Sequence, residues 1–549
     1  MFVSSSGSSS IGRFCGHLRT PRPSNSSAEA AKKITEREAG YNDGLPSDFD
    51  LLTPLKRHWG YEGFRPLQER IVRSLLEGHD IAVVMPTGGG KSLCYQLPAL
   101  ILGRTVIVIS PLIALMQDQA AQLDQMGIPA AVLNSSLPAV AQEQVIRRAM
   151  AGDYRLLYLS PERLARADTI AWLARTPIAF FAIDEAHCIS EWGHEFRPDY
   201  RLLSSLRENF PDRPIAAFTA SATQRVRHDI LAQLRLREPD KYIASFHRPN
   251  LRYLVRQCDS RTQSRLLVAA LRAHEGENII VYAPTIARVG ETVQFLAQAG
   301  VQAVGYHGKM DAERRRRNQE IWMTDEVPVL VGTLAFGLGI NKPSVRAVIH
   351  LALPKSIEQY YQEAGRAGRD GLPADCALLW QKRDAGLLAY FIEALQDPNE
   401  KERAWQRYHA MRRFTEAKEC RHRQICTHFG ETPKWTACGM CDVCAAVPEW
   451  MDKSATAERA PGKRKKKSGA VKTAGPDGGL VDHMREWRRV VAKRSGMPAY
   501  VILHDSTLEE ICRRRPSSTT ELLEIHGIGV RKAEMYGSEI LSALEAWGA

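Results

Sequence analysis

The stretch Met85-Pro86-Thr87-Gly88-Gly89-Gly90-Lys91-Ser92 places three glycines directly before a lysine and a hydroxyl. A glycine run lets backbone N–H groups close around phosphates, and the N-terminus of a following helix adds positive potential. In such a loop Thr87, Gly88, Gly89 and Gly90 cradle the phosphates. Lys91 reaches the β and γ phosphates, and Ser92 holds Mg²⁺. Met85 stands where the pattern usually has its first glycine, so the match is to a loosened form. Further along, Asp184 and Glu185 end the apolar run Phe180-Phe181-Ala182-Ile183. That is an odd place for two charges, unless Asp184 ligates Mg²⁺ and Glu185 polarises an attacking water. Lys91 with this acid pair points to hydrolysis of a nucleoside triphosphate.

Just beyond the acids, Glu191-Trp192-Gly193-His194-Glu195-Phe196-Arg197-Pro198-Asp199-Tyr200 alternates aromatics with charges. Trp192 and Phe196 offer faces on which bases can stack, worth about 1–3 kcal/mol each. His194 and Arg197 can contact bases or phosphates. Burial of the loop between domains would explain the aromatics but not the interleaved charges.

A third cluster holds five of the eleven cysteines, Cys420 to Cys444. Cys438, Cys441 and Cys444 have C-x₂-C-x₂-C spacing, and a tetrahedral Zn²⁺ site needs one more thiolate. Cys420 and Cys426 are both candidates, and an iron–sulfur cluster is the competing reading. The other cysteines are scattered singly, which fits a reducing compartment rather than a disulfide scaffold.

These residues need a frame to hold them. From about residue 45 to 390, short apolar runs such as Ile81–Val84, Val106–Ile109, Ile178–Ile183, Ile279–Tyr282 and Ala347–Leu351 alternate with helical patterns. Continuous apolar strands between helices indicate parallel sheets covered on both faces. The span is too long for one sheet, so an α/β architecture of two lobes is expected. The expected division is a disordered tail (1–44), lobe 1 (45–242), lobe 2 (243–390), a helical metal-binding subdomain (391–447), a flexible linker (448–478) and a small all-helical domain (479–549). The linker carries Lys463-Arg464-Lys465-Lys466-Lys467.

The 549 residues carry a net charge of +12, which suits a polyanionic partner. No apolar run is long enough to span a bilayer, so no membrane partner is expected. Residues 1–28 are Ser-rich, hold Arg13, Arg19 and Arg22, and lack acids. That composition suits a transit peptide. A disordered tail or an early start codon explains it as well, and is favoured; the expected location is the cytoplasm, at the nucleoid.

Several motifs together resemble those of superfamily 2 helicases, and of the RecQ family in particular. Thr87–Ser92, Asp184–His187 and Ser221-Ala222-Thr223 resemble motifs I, II and III, and Ala335–Pro343 resembles motif V. Gln362–Gly371 resembles motif VI, and Trp192–Pro198 resembles the RecQ aromatic-rich loop. Ser110–Ile113 and Ser160–Arg163 resemble the strand-contacting motifs Ia and Ib. Phe64–Gln68 resembles motif 0; it is also a good helix start, with Pro66 in the first turn.

The resemblance implies two RecA-like lobes and an ATP-dependent DNA helicase travelling 3′ to 5′, in DNA recombination or repair. It implies that Tyr61, Arg65 and Gln68 bracket adenine. Arg366 and Arg369, with Gln362, act from the second lobe, Arg369 as the arginine finger. Cys420 becomes the fourth Zn²⁺ ligand, and Cys426 a buried thiol. Residues 479–549 resemble the helicase-and-RNase-D C-terminal (HRDC) domain. There Gly527-x-Gly529 and Lys532 would meet a DNA phosphate, although glycines making only a tight turn explain the motif nearly as well. The winged-helix domain usual in the family is missing, because the stretch between Cys444 and Leu480 is too short for it. Expected partners are single-stranded and forked or tailed duplex DNA, and a single-strand-binding protein. The competing reading is an ATP-gated nucleic-acid-binding or strand-annealing protein, or an RNA helicase.

Overall fold

The structure is a computed structural model, and it describes residues 49–134, 137–333, 342–452, 478–495, 497 and 499–548. The N-terminal tail, most of the motif V stretch and Lys463–Lys467 lie outside the described residues.

Helices α1 (Leu52–Trp59) and α2 (Gln68–Leu76) precede the first sheet. Its strands are β1 (Ile81–Val84), β2 (Thr105–Ile109), β3 (Ala130–Leu133), β4 (Leu156–Leu159), β5 (Ile178–Ile183), β6 (Ile215–Thr219) and β7 (Asp240–Ile243). Helix α3 (Lys91–Leu102) follows β1, and α4 (Gln224–Gln233) follows β6. All strands pair in parallel, in the order β3-β4-β2-β5-β6-β1-β7. Every residue of β2 and β5 is buried, as expected where helices cover both faces of a sheet. The nucleotide loop and the acid pair thus emerge from neighbouring parts of one sheet edge.

The second sheet is also wholly parallel, with strands β8 (Leu251–Gln257), β9 (Asn278–Tyr282), β10 (Ala303–Tyr306), β11 (Val329–Gly332), β12 (Val345–His350) and β13 (Ala374–Trp380). Their order is β10-β11-β9-β12-β13-β8. Helix α5 (Ser260–Ala273) follows β8 and is capped by Asp259, whose carboxylate accepts the Thr262 N–H at 2.7 Å. Helix α6 (Ile357–Ala364) carries the start of the motif VI segment and is capped by Ser356. Two RecA-like parallel-sheet lobes are therefore present.

A hairpin of α7 (Lys382–Glu393) and α8 (Pro398–Glu416), then α9 (Arg421–His428), follows lobe 2. Aromatics seal this part to the lobes: Phe246 stacks on Phe429 at 4.3 Å, and Tyr360 meets Phe414 at 5.5 Å. Glu431 accepts the Phe246 N–H and the Ser245 hydroxyl at 2.9 and 2.7 Å. Among the described residues no strand follows β13.

The C-terminal unit has α10 (Gly478–Ser495), α11 (Asp505–Arg514) and α12 (Val530–Gly548) around its own core, including Met484, Leu508, Ile511 and Ile540. It rests on both lobes. Tyr536 donates to Gln125 of lobe 1 at 2.6 Å, and Ser344 of lobe 2 donates to Asp505 at 3.3 Å. Arg488, fully buried, pairs with Asp505 at 2.8 Å and lies 3.8 Å from Asp325 of lobe 2.

Candidate nucleotide and nucleic-acid site

The phosphate loop spans the end of β1 and the start of α3. Gly88 and Gly90 take φ of 80° and 83°, a region that favours glycine. At Gly90 there is a second reason for glycine: a Cβ there would lie 2.3 Å from Gln68 Nε2. Two of the residues expected at adenine are hydrogen-bonded to this loop. Gln68 Nε2 donates to the Gly90 carbonyl at 3.1 Å, and the Arg65 guanidinium donates to the Gly88 carbonyl. The Lys91 ammonium donates to the Met85 carbonyl at 3.2 Å, and burial lowers its pKa against the pull of Glu185 and Asp184.

Asp184 and Glu185 follow β5. Burial and the adjacent Glu185 carboxylate raise the Asp184 pKa. Burial opposes ionisation of Glu185 as well, but His187 and Lys91 outweigh it and hold that carboxyl down. Glu185 adopts φ 47°, ψ 43°, a left-handed conformation costing on the order of 1 kcal/mol for a side-chain-bearing residue. Its buried Oε2 lies 3.2 Å from His187 Nδ1, which itself meets the Thr219 hydroxyl at 2.9 Å. Such an atom is suited to accept from a water. Ser92 and Asp184 both neighbour Tyr95, and their hard oxygen donors beside a phosphate loop fit Mg²⁺.

Lobe 2 closes over this loop. Thr87 Oγ1 donates to the Gly365 carbonyl at 2.9 Å. A Cβ on Gly88 would lie 3.3 Å from Arg369 Cγ. Gln362 Nε2 donates to Ser221 Oγ at 2.8 Å, joining the two lobes at a second point. Burial, with Arg366 and Arg248 nearby, lowers the Arg369 pKa to about 9. The buried Nε of Arg366 makes no hydrogen bond among the described residues. Lys91, Arg248, Arg366 and Arg369 form a crowded cationic pocket that a polyphosphate fits.

Arg248 lies outside every motif of the sequence. Its guanidinium donates to Thr87 O at 3.0 Å and Gly368 O at 3.1 Å, clasping the phosphate loop to the motif VI segment. A single arginine after the lobe junction carries no pattern that could have singled it out.

The aromatic loop begins at the acid pair. Tyr200 is buried and donates to the Asp184 carbonyl at 3.0 Å. His194 stacks on His187, with centroids 4.7 Å apart and planes 8° apart. Burial and the charge of His187 lower the His194 pKa. Arg197 donates to Pro111 O at 3.1 Å, tying the loop to the Ser110–Ile113 segment. Trp192 is capped by Arg225, whose Cζ is 3.0 Å from the ring centroid, and by Arg403 of α8 at 5.6 Å. Phe196 carries Arg201 at 5.2 Å. Neither Arg225 nor Arg403 was legible in advance, because both reach Trp192 from distant segments.

The metal-ligating atoms of Cys420, Cys438, Cys441 and Cys444 all lie within 4.8 Å of one another. Backbone N–H groups of Arg421 and Met440 point at Cys441 and Cys438 sulfurs at 3.5 Å. Four convergent sulfurs with N–H donors fit a closed structural Zn²⁺ site. Cys426 lies outside the group, next to Glu431, and burial raises its thiol pKa.

The C-terminal turn corrects one expectation. Gly527-Ile528-Gly529 faces lobe 1 rather than an open surface. A Cβ on Gly529 would lie 2.7 Å from the carbonyls of Arg57 and His58, and one on Gly60 would lie 2.8 Å from Ile528 O. Lys532, expected at a DNA phosphate, is only 8% exposed, and burial lowers its pKa to about 8. His526 covers the ring of Tyr61. The glycines here serve close backbone approach between domains. Among the described residues no helix is long and apolar enough to cross a membrane.

Four family patterns match this chain: DEAD/DEAH box helicase over residues 65–230, helicase conserved C-terminal domain over 262–371, RecQ zinc-binding over 382–445 and HRDC domain over 477–544. ATP-dependent DNA helicase RecQ of Haemophilus influenzae is 33% identical over 593 residues, spanning 90% of this chain and 95% of that protein. The protein of the same name from Bacillus subtilis is 32% identical, over 90% of this chain and 98% of its own length. The solved DUF1998 helicase MrfA bound to DNA has a similar fold, at TM-score 0.52 and 18% identity, over 62% of this chain and 52% of that one.

Proposed function

Because this chain belongs to the RecQ family of ATP-dependent DNA helicases, we propose that it moves 3′ to 5′ along one DNA strand and displaces the other, in DNA recombination or repair. Thr87, Gly88, Gly89, Gly90 and Lys91 receive the phosphates of ATP, and Tyr61, Arg65 and Gln68 receive the adenine. Ser92 and Asp184 hold Mg²⁺, which would draw charge from the phosphoryl oxygens when bound. Glu185 orients the attacking water and accepts its proton at Oε2. Arg369, backed by Arg366, offsets charge developing on the transferred phosphoryl group, and Gln362 keeps the lobes in register. Cys420, Cys438, Cys441 and Cys444 hold a structural Zn²⁺.

The observation that carries this reading is the contact of the lobe 2 segment Gly365–Arg369 with the lobe 1 phosphate loop. A site completed by two lobes turns over only when they close, so hydrolysis becomes lobe movement. The track enters through Trp192, Phe196, His194 and Arg197. A base stacking on the face of Trp192 that Arg225 covers displaces that guanidinium. The His194–His187 stack then offers a short physical route to Glu185.

The chain divides as tail (1–44), lobes (45–242 and 243–390), zinc-binding subdomain (391–447), linker (448–478) and HRDC-like domain (479–549). Its substrates are single-stranded and forked or tailed DNA, with a single-strand-binding protein as partner, at the nucleoid in the cytoplasm.

The test is displacement of a labelled strand from 3′-tailed, 5′-tailed and blunt DNA and from 3′-tailed RNA. ATP-dependent release from the 3′-tailed DNA alone is expected. Preference for the 5′ tail overturns the direction. Annealing without displacement, or equal action on RNA, favours the competing class.

A further inference from the structure

Strands β8 and β13 end side by side, Gln257 opposite Trp380, at the edge of lobe 2 where every parallel strand of that sheet ends. A cavity of about 620 Å³ opens there, between the first turns of α5 and α7. Its floor is rigid. Ser260 donates to Gln381 at 3.0 Å, and Gln381 donates to the buried Gln263 at 2.7 Å. Its walls include four cations, Arg256, Arg265, Lys382 and Arg383, none in an ion pair among the described residues. The two nearby carboxylates are held as helix caps. Asp259 accepts the Thr262 N–H, and Asp384 accepts the Gln381 N–H, each at 2.7 Å. Four cations against two capping acids leave a surplus of positive charge around a concave space.

Helix α7 extends this charge with an aromatic stripe. Arg383, Leu387 and Tyr390 recur at i, i+4 and i+7, on one helix face. Tyr390 is 69% exposed and Phe391 54% exposed, and the two rings meet edge to face at 5.8 Å. The partner helix α8 reaches the aromatic loop, where Arg403 lies over Trp192 and pairs with Glu191 at 3.3 Å. The hairpin thus runs from the aromatic loop to the cavity. Along α7, Arg383 and Tyr390 are separated by about 10 Å of helix axis.

From this juxtaposition we infer that the lobe 2 cavity and the outer face of α7 form a second binding site for single-stranded DNA. A phosphodiester sits among Arg256, Arg265, Lys382 and Arg383, and neighbouring bases stack on Tyr390 and Phe391. Single strand fits better than duplex, whose bases are already stacked and cannot use exposed rings. This rests on the reading of the chain as a DNA motor, and it lengthens the strand the motor grips.

The test uses the full chain with two double variants, Arg256→Ala/Arg265→Ala and Tyr390→Ala/Phe391→Ala. Binding is titrated with oligothymidines of about 8 and about 24 nucleotides, lengths chosen around typical single-strand site sizes, and with blunt duplex. Both variants should bind the long strand roughly tenfold more weakly, as loss of about 1.4 kcal/mol of stacking or phosphate contact implies. The short strand should bind and stimulate hydrolysis as in the parent. The arginine variant should also flatten the salt dependence of long-strand binding, by roughly 1.4 in logarithmic slope. Unchanged long-strand affinity in both variants overturns the site. An equal loss for blunt duplex, or no loss in the aromatic variant, overturns its assignment to single strand. If the parent's hydrolysis ignores every strand, the motor reading fails instead, and the binding titration still reads this site.

Discussion

The imidazole of His526 lies face to face with the Tyr61 ring, centroids 4.5 Å apart and planes 16° apart. A residue of the C-terminal unit therefore covers a ring assigned to adenine. Nucleotide and His526 must compete for one face of Tyr61, or share its two faces. With competition, His526→Ala should lower the KM for ATP by about fivefold, the equivalent of a stacking contact of about 1 kcal/mol. The comparison is steady-state hydrolysis of the full chain and the variant. An unchanged KM means that Tyr61 offers adenine its other face.

Trp192 carries a guanidinium on its ring in the structure. Each such contact is worth about 0.5–1 kcal/mol at an accessible site. Trp192→Ala should keep ATP binding and weak basal hydrolysis but lose most stimulation by single-stranded DNA. Arg225→Ala should do the reverse, responding to DNA at lower concentration. Stimulation curves that superimpose on the parent's in both variants would make the loop mere packing.

The four clustered sulfurs exclude Cys426. Metal analysis should therefore find one zinc per chain, absent or readily chelated in Cys441→Ser and retained in Cys426→Ser. Iron in the parent, or equal loss in both variants, would contradict the assignment.

Lys532 gives a pH signature. Burial holds its folded pKa at about 8, below the usual value near 10.4 for an unfolded chain. Below pH 8 the folded state bears the whole cost of a buried charge, about 3 kcal/mol at most. As pH rises from 8 to about 10.4 the unfolded chain holds more protons, so stability increases. Lys532→Met should raise the melting temperature at pH 7, and the gain should fade by about pH 10. A variant less stable than the parent at pH 7 would show that the ammonium is satisfied where it lies.

The features legible in the sequence are those written in short spacings. Apolar runs alternating with helical patterns announced two parallel sheets, because a strand buried on both faces has no polar positions. The phosphate loop and the cysteine triplet were legible because a few consecutive residues build each. Arg248, Arg225 and Arg403 were not, since each acts by meeting a segment far away in the chain, which no local periodicity encodes. The Gly527-Ile528-Gly529 turn left two readings open for a related reason. A glycine pair that admits a phosphate also admits another backbone, and only the packed structure distinguishes the two.

If hydrolysis requires a cation delivered across the lobe cleft, single turnover of Arg369→Ala will expose it. ATP binding to the variant should stay within a few-fold of the parent. Single-strand-stimulated hydrolysis should fall by about 10³, in the range known for arginine fingers, and strand displacement should fall with it. Hydrolysis within a few-fold of the parent would contradict that requirement and leave lobe 1 alone as the catalyst.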